Sequence, residues 1–497
     1  MAEGDRREAT SGPKAARAAD APPAAPPVRA RGLHLPGHRD PLDATRTDDA
    51  ADLPATGPGA DTGAEVPAAG TSAGADAGSG ADTGESATQR TTDEGTALYR
   101  AVLRLLAGGH EMPNRGGEKP VGATKSRWAG RIGPGEFELR DAVLPTVLVH
   151  LGLLLFAPLA IMIFGSADAL ANGPLAIWNH WDGPHFLEVA ARGYDPSGDP
   201  ARAVLFPLYP VLIRIGSILL DPLVAAMTIS SFASIAISVG LYRLVKPVSG
   251  RVIARYAVLA FNIFPTSYAF VAPYSEAPFL AFTVWAFVAA RQDQWGRAGV
   301  LGLLAALTRL EGAFLLPALA VEYFVLRRGR VRMDVLAIGL VALGPLVFIG
   351  INAYAYGDPL FFLEMQRKVF TVYSIAPWQM FGQLVKTVFA GGSGESFITV
   401  YVGPLVAFVL LAAVALWSLR SRHSSPSFAV LTWLNLASLS TLSWPISVPR
   451  YLLDVFPVFI AEGALGRRPG LGGALATVSV LLLAVFTTLF VLGHWAF

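Results

Sequence analysis

The chain has 497 residues, 53% of them hydrophobic and only 15% charged, with no cysteine and a formal net charge of +2. Soluble domains carry nearer a quarter charged residues. The mean hydropathy of +0.46, with apolar stretches recurring from about residue 142 onward, predicts an all-α polytopic membrane protein. The absent cysteines exclude disulfides and thiolate metal sites, and nothing in the charge balance calls for a nucleic-acid partner. Arginine far outnumbers lysine and Ala, Gly and Pro abound, which reads as codon bias of a G+C-rich bacterial genome.

Residues 1–95 are low-complexity, with stretches such as "ADAPPAAPP" rich in Ala, Gly, Pro, Ser and Asp. They lack the apolar residues that would offset chain entropy and are predicted to be a disordered cytosolic tail. The polar start and the late first apolar segment predict no cleavable signal peptide. Residues 96–140 form a cytosolic juxtamembrane segment with a short amphipathic helix at 97–107. Arg127, Arg131 and Arg140 place this end in the cytosol by the positive-inside rule.

The membrane domain is predicted over 141–497. Its first span runs 142–164. If 203–220 and 223–245 both crossed, Arg243, Lys246, Arg251 and Arg255 would fall outside. The segment 203–220, with Pro207, Pro210 and Arg214, therefore reads as an interfacial or partly inserted helix. The stretch 165–221 is then one long first extracytoplasmic loop. Spans follow at 222–245, 252–272 and 275–291. The segment 298–326 must go out and return, bending near "TRLEG" at 308–312 with each arm short for the core of roughly 30 Å. A span at 335–356 leads to a second large extracytoplasmic loop, 357–396. Spans at 397–418, 427–444, 451–465 and 472–495 complete about 11 (10–12) transmembrane helices, with the N-terminus cytosolic.

This topology puts four polar clusters on the outer side: "HWDGPHFLEVAARGYDP" at 180–196, "APYSEAP" at 272–278, "TRLEG", and "SVPRYLLD" at 447–454. A single site at the outer boundary is the economical explanation. In a helix over 182–192, Asp182, His185, Val189 and Arg192 share one face, with Glu188 beside it. Asp182 ahead of Gly183-Pro184 also reads as a helix N-cap. His180, Asp182 and His185 have zinc-compatible chemistry, but no ligand template such as HExxH is present, so no metal is assigned. Glu276, after Tyr274 and Ser275, reads as a capping carboxylate or a site residue. Arg309 and Glu311 could be a local ion pair, and Arg450, beside Tyr451, could snorkel. Either arginine would also suit a phosphate near the outer leaflet, because guanidinium grips it with parallel donors.

"WDGPHFLEVAARGY" followed by "FPLYP" resembles the signature of the PIG-V family, the second mannosyltransferase of GPI-anchor assembly and its bacterial relatives. That family shows W-D-x-x-H-F-x-x-I-A-x-x-G-Y and then F-F-P-x-[YF]-P; here Val189 and Leu205 replace two apolar positions. "FNIFPTSYAFVAPYSEAPF" is similar to a second family segment, with Phe264-Pro265-Thr266 where Pro-Ala is usual. "TRLEG" resembles a family turn with Glu311 as a departure, and "PRYLLDVFPVF" resembles a C-terminal segment of the bacterial relatives. The resemblance covers about 140 to 465.

The resemblance implies a GT-C glycosyltransferase bundle that takes a sugar from a polyprenyl-phosphate donor on the extracytoplasmic side of the plasma membrane. It implies Asp182 as catalytic base and no cofactor. Trp181, His185, Glu188, Arg192, Tyr194, Tyr274, Glu276, Arg309, Arg450 and Tyr451 are the expected substrate-binding residues. Mannose is carried by the family name and is the expected sugar; another hexose or a pentose stays open. The acceptor is a lipid glycan, a polysaccharide or a secreted protein. Two other readings stay open. One is a lipid-linked sugar transporter or non-catalytic partner subunit, disfavoured by the lack of internal repeats. The other is a protein O-mannosyltransferase, disfavoured by the lone Asp182 where an acidic pair is usual.

Overall fold

The computed structural model describes residues 138–497 except 393, 395 and 396. The predicted tail and all but the last three residues of the juxtamembrane segment, including the helix at 97–107, lie outside the described residues. Those described form an all-α polytopic membrane protein whose single β-type pairing is an isolated bridge between Ser374 and Leu442.

A π-helical turn at Leu139–Val143 runs into α1 (Leu144–Phe164). The next two helices, α2 (Asp182–Arg192) and α3 (Leu208–Gly216), are short. At 1.5 Å per residue the nine residues of α3 reach about 13 Å, far below the roughly 30 Å of a bilayer core. Its outward residues Val211 and Ile215 are exposed and apolar, as are Ile218, Leu219 and Leu220 beyond it.

The long α4 (Pro222–Ile263) breaks at Gly250 (φ 82°), so two antiparallel-capable arms replace one rod. The second arm ends at Ile263, earlier than the predicted 272, and a 3₁₀ turn (Ser267–Phe270) follows. α5 (Glu276–Arg291) is buried on every side and packs against α4, α6 (Trp295–Thr308) and α7 (Leu315–Arg327). A helix that is apolar all round belongs at the centre of a bundle. α6 and α7 are joined by a 3₁₀ turn (Leu310–Phe314), so the reversal falls on "TRLEG". The turn needs glycine: a Cβ on Gly312 would lie 2.4 Å from the Ala306 Cα.

A 3₁₀ segment (Met333–Ala342) precedes α8 (Leu343–Tyr356), followed by the amphipathic α9 (Phe361–Val369) and α10 (Pro377–Ala390) of the second loop. A π-helical turn (Ile398–Val402) leads into α11 (Gly403–Arg420); then come α12 (Pro426–Ser440), the four-residue α13 (Val448–Tyr451), α14 (Pro457–Gly466) and α15 (Leu471–Val491). Residues 452–456, including a 3₁₀ turn at Leu452–Asp454, thus precede the apolar helix α14. Among the described residues, five helical stretches are long and apolar enough to cross a membrane singly: Leu139–Phe164, Pro222–Ile263, Met333–Tyr356, Ile398–Arg420 and Leu471–Val491. The shorter apolar helices fill the interior between them.

One end of the bundle is tied by ion pairs. Arg243 meets Glu138 at 2.7 Å, Arg251 meets Asp141 at 2.6 Å, and Arg327 bridges Asp293 and Asp334, each at 2.7 Å. Arg291, at the end of α5, donates to Glu322 of α7 at 2.9 Å, and Ser427 donates to the other Glu322 oxygen at 2.5 Å. These clamps fix the start of α5, with Glu276, at the opposite end.

Candidate functional site

The four polar stretches converge at that opposite end, each side chain presented by a break in the helical ladder. α2 begins at Asp182, directly after Trp181, whose backbone takes φ 55° and ψ −107°. That conformation is strained for a bulky L-residue, by about 1–3 kcal/mol. It is held by the indole of Trp181 packing edge-on against Trp495 at 5.0 Å. It is also held by Gly183, where a Cβ would sit 2.8 Å from the Pro273 ring. Glycine here lets the start of α2 lie directly on the "APYSEAP" turn. The cap reading of Asp182 is corrected: Trp181 is the N-cap, Asp182 is the first helical residue, and no side-chain cap hydrogen bond forms.

Glu276 is likewise the first residue of α5, where the helix dipole favours a carboxylate. Arg309 has extended backbone between α6 and the 3₁₀ turn. Arg450 projects from α13. These residues form one continuous network. Arg450 Nη2 lies 2.8 Å from Asp182 Oδ2, and its Nε lies 3.4 Å from Glu276 Oε1. Arg309 Nη1 lies 3.1 Å from the same Glu276 oxygen and donates to Ser275 Oγ at 3.2 Å. Arg309 Nε lies 3.2 Å from Asp454 Oδ2 and 3.5 Å from Glu311 Oε2. The guanidinium of Arg450 stacks over Tyr274 at 4.7 Å and near Tyr451 at 5.7 Å, while Arg309 lies 5.3 Å from the Tyr451 ring.

Exposure separates the members. The side chains of Arg450 and Glu276 are 5% and 1% exposed, whereas Asp182 keeps 35%. Asp182 is therefore the carboxylate a ligand reaches first, backed by a buried cation. Burial alone would raise its carboxyl; Arg450, with help from Arg309 and His185, more than offsets this and holds it below the ordinary carboxylate range.

The remaining expected site residues fall elsewhere. His185 Nδ1 lies 3.5 Å from Asp199, not on Asp182. Glu188 is taken by Arg202 at 2.5 Å and Arg192 at 3.8 Å, and Arg192 is largely exposed. Tyr194 donates to the Leu205 carbonyl at 2.6 Å, tying the end of α2 to the "FPLYP" segment. Glu188 and Arg192 line an open groove of about 900 Å³ on another face of α2, together with Pro174, Asn179, Leu187 and Pro222. Among the described residues, no three His, Asp or Glu side chains converge in a way that could hold a metal ion; the carboxylates converge on guanidiniums instead. Sequence reasoning missed Asp454 and Ser275 as members. An acid in an otherwise apolar run after "VPRY" was the available signal for Asp454.

The chain is similar to proteins named GPI alpha-1,6-mannosyltransferase 2. It is 34% identical to that of Mus musculus over 166 residues, 31% of this chain and 32% of the relative. It is 32% identical to that of Cricetulus griseus over 166 residues, again 31% and 32%. The Homo sapiens relative is 31% identical over 154 residues, 29% of this chain and 30% of its own length. The matched stretch thus spans about a third of the length of these relatives. No family model and no solved structure matches.

Proposed function

We propose that the protein is a membrane mannosyltransferase that uses a polyprenyl-phosphate sugar as donor, with Asp182 as its base. The observation that carries this reading is the contact of a partly exposed carboxylate with a buried arginine, Asp182–Arg450 at 2.8 Å, within a network drawn from four distant segments. The likeness to the named mannosyltransferases supports mannose as the sugar.

In the proposed reaction, the acceptor hydroxyl oxygen attacks the anomeric carbon as its bond to the lipid phosphate breaks. The hydroxyl proton passes to the Asp182 carboxylate. The phosphate leaves as an anion and needs cationic stabilisation, not a general acid. Arg450 and Arg309 supply it through charge-assisted hydrogen bonds. The reading therefore assigns no cofactor. The acceptor is a hydroxyl on a lipid glycan, a polysaccharide or a secreted protein. Basic residues at the far end of the bundle, such as Arg243, Arg251, Arg420 and Arg467, favour a cytosolic location for that end and an extracytoplasmic site in the plasma membrane.

The test is transfer from polyprenyl-phosphomannose in membranes containing wild type or Asp182→Asn. Asparagine keeps the size and removes the basicity, so transfer is lost at normal protein yield. Full transfer by Asp182→Asn overturns the role of Asp182.

A further inference from the structure

The network holds more negative than positive charge. Four carboxylates, Asp182, Glu276, Glu311 and Asp454, surround two guanidiniums, Arg309 and Arg450. Fully ionised, they would present an anionic donor with a net repulsive site. Water relieves part of this at Asp182 and Glu311, whose side chains are 35% and 21% exposed. Glu276 touches both guanidiniums, at 3.1 and 3.4 Å. Asp454 has neither advantage. Its side chain is 1% exposed, and its ion-pair partner is Arg309, which Glu276 and Glu311 share. Neither of its carboxyl oxygens has a hydrogen-bond partner. A buried charge so poorly matched costs far more than a neutral acid in the same place.

We propose that Asp454 is a positioning residue held as the neutral acid, which fixes the Arg309 guanidinium sterically while leaving its positive charge for the donor phosphate. This rests on the reading of the network as a lipid-phosphate donor site. The charged groups facing Asp454 are Arg309 and Glu311 from the α6–α7 turn, Glu276 from α5, and Arg450 from α13. Burial raises its carboxyl, Arg309 opposes this, and Glu276 and Glu311 add to the rise, leaving it well above the ordinary carboxylate range. The proton comes from solvent, and no other bond changes. Above the Asp454 pKa, donor binding must take up that proton, so affinity falls as pH rises, approaching about tenfold per pH unit. Below it, affinity is level.

Two measurements on the full chain in detergent test this. Infrared spectroscopy of the ligand-free protein at neutral pH should show a protonated-carboxyl stretch that disappears in Asp454→Asn. Isotope-labelled aspartate in the wild type should shift the same band, which settles the matter without any substitution. Absence of an aspartic-acid band overturns the proposal independently of any donor. Binding of a short-chain polyprenyl phosphomannose, whose phosphodiester keeps one charge throughout, is then followed with pH. Wild type should lose affinity at alkaline pH, while Asp454→Asn stays level and within about threefold of the wild-type value at low pH. The same alkaline fall in Asp454→Asn places the proton elsewhere and overturns the proposal. No binding by either protein removes the donor reading, and Arg309's role with it, whatever the infrared result.

Discussion

Asp182 and Arg450 are 268 positions apart, and their contact makes a quantitative prediction. In a double-substitution cycle, Asp182→Asn, Arg450→Gln and the pair are compared for unfolding free energy in mixed micelles. Removing Arg450 leaves Glu276, 1% exposed, without one of its two cations, which for a broken buried pair costs about 3–5 kcal/mol. Removing the Asp182 charge alone costs less, because its side chain is 35% exposed and water screens what remains. A charge-assisted contact contributes about 1.5–3 kcal/mol when well formed; the half-open geometry here sets the expected coupling at about 1.5 kcal/mol, the low end. The double variant should therefore be more stable than the sum of the singles by that amount. Asp182→Asn combined with Glu322→Gln, at the other end of the bundle, should add within about 0.5 kcal/mol. Coupling below that limit for Asp182 and Arg450 would refute the ion pair as an energetic unit.

Other outcomes follow from the same geometry. The charge swap Arg309→Glu with Glu311→Arg should not restore transfer, because residue 309 also faces Glu276 and Asp454; restoration would mean a simple local pair. Because the Asp182 carboxyl is depressed in the folded protein, its stabilising contribution is present above the unfolded value of about 3.9 and lost as pH falls through the folded value. Acid unfolding of Asp182→Asn should accordingly lack that part of the wild-type pH dependence. Gly312→Ala forces a methyl to within 2.4 Å of the Ala306 backbone and should cost at least about 1–3 kcal/mol, as overpacking does; an unchanged melting temperature would disprove the close approach. A cysteine at Leu220, exposed beyond α3, should react with an impermeant thiol reagent added outside intact cells. Labelling only after permeabilisation would show that 203–220 crosses.

The sequence by itself determined the helical membrane class and most helix positions. The bilayer imposes one requirement on each span, a long apolar run with its backbone satisfied internally, and that requirement is local. The reversal at "TRLEG" was readable for the same reason, since two basic ends on one side force an out-and-back path. The polar clusters were readable too, because an ionisable residue at the end of an apolar run is costly wherever it lies. What pairs with what was decided only by the tertiary structure. Arg309 has Glu311 two residues away, yet its shortest carboxylate contacts are Glu276 and Asp454. Asp454 lies four residues past Arg450, yet its ion-pair partner is Arg309. His185 and Glu188 share a helix with Asp182 but turn to Asp199 and Arg202. Such choices depend on how α2, α5, α13 and the α6–α7 turn pack, with close approaches at Gly183 and Gly312 that leave no room for a Cβ. Periodicity gives the face of a helix; it carries no information on which distant face will meet it.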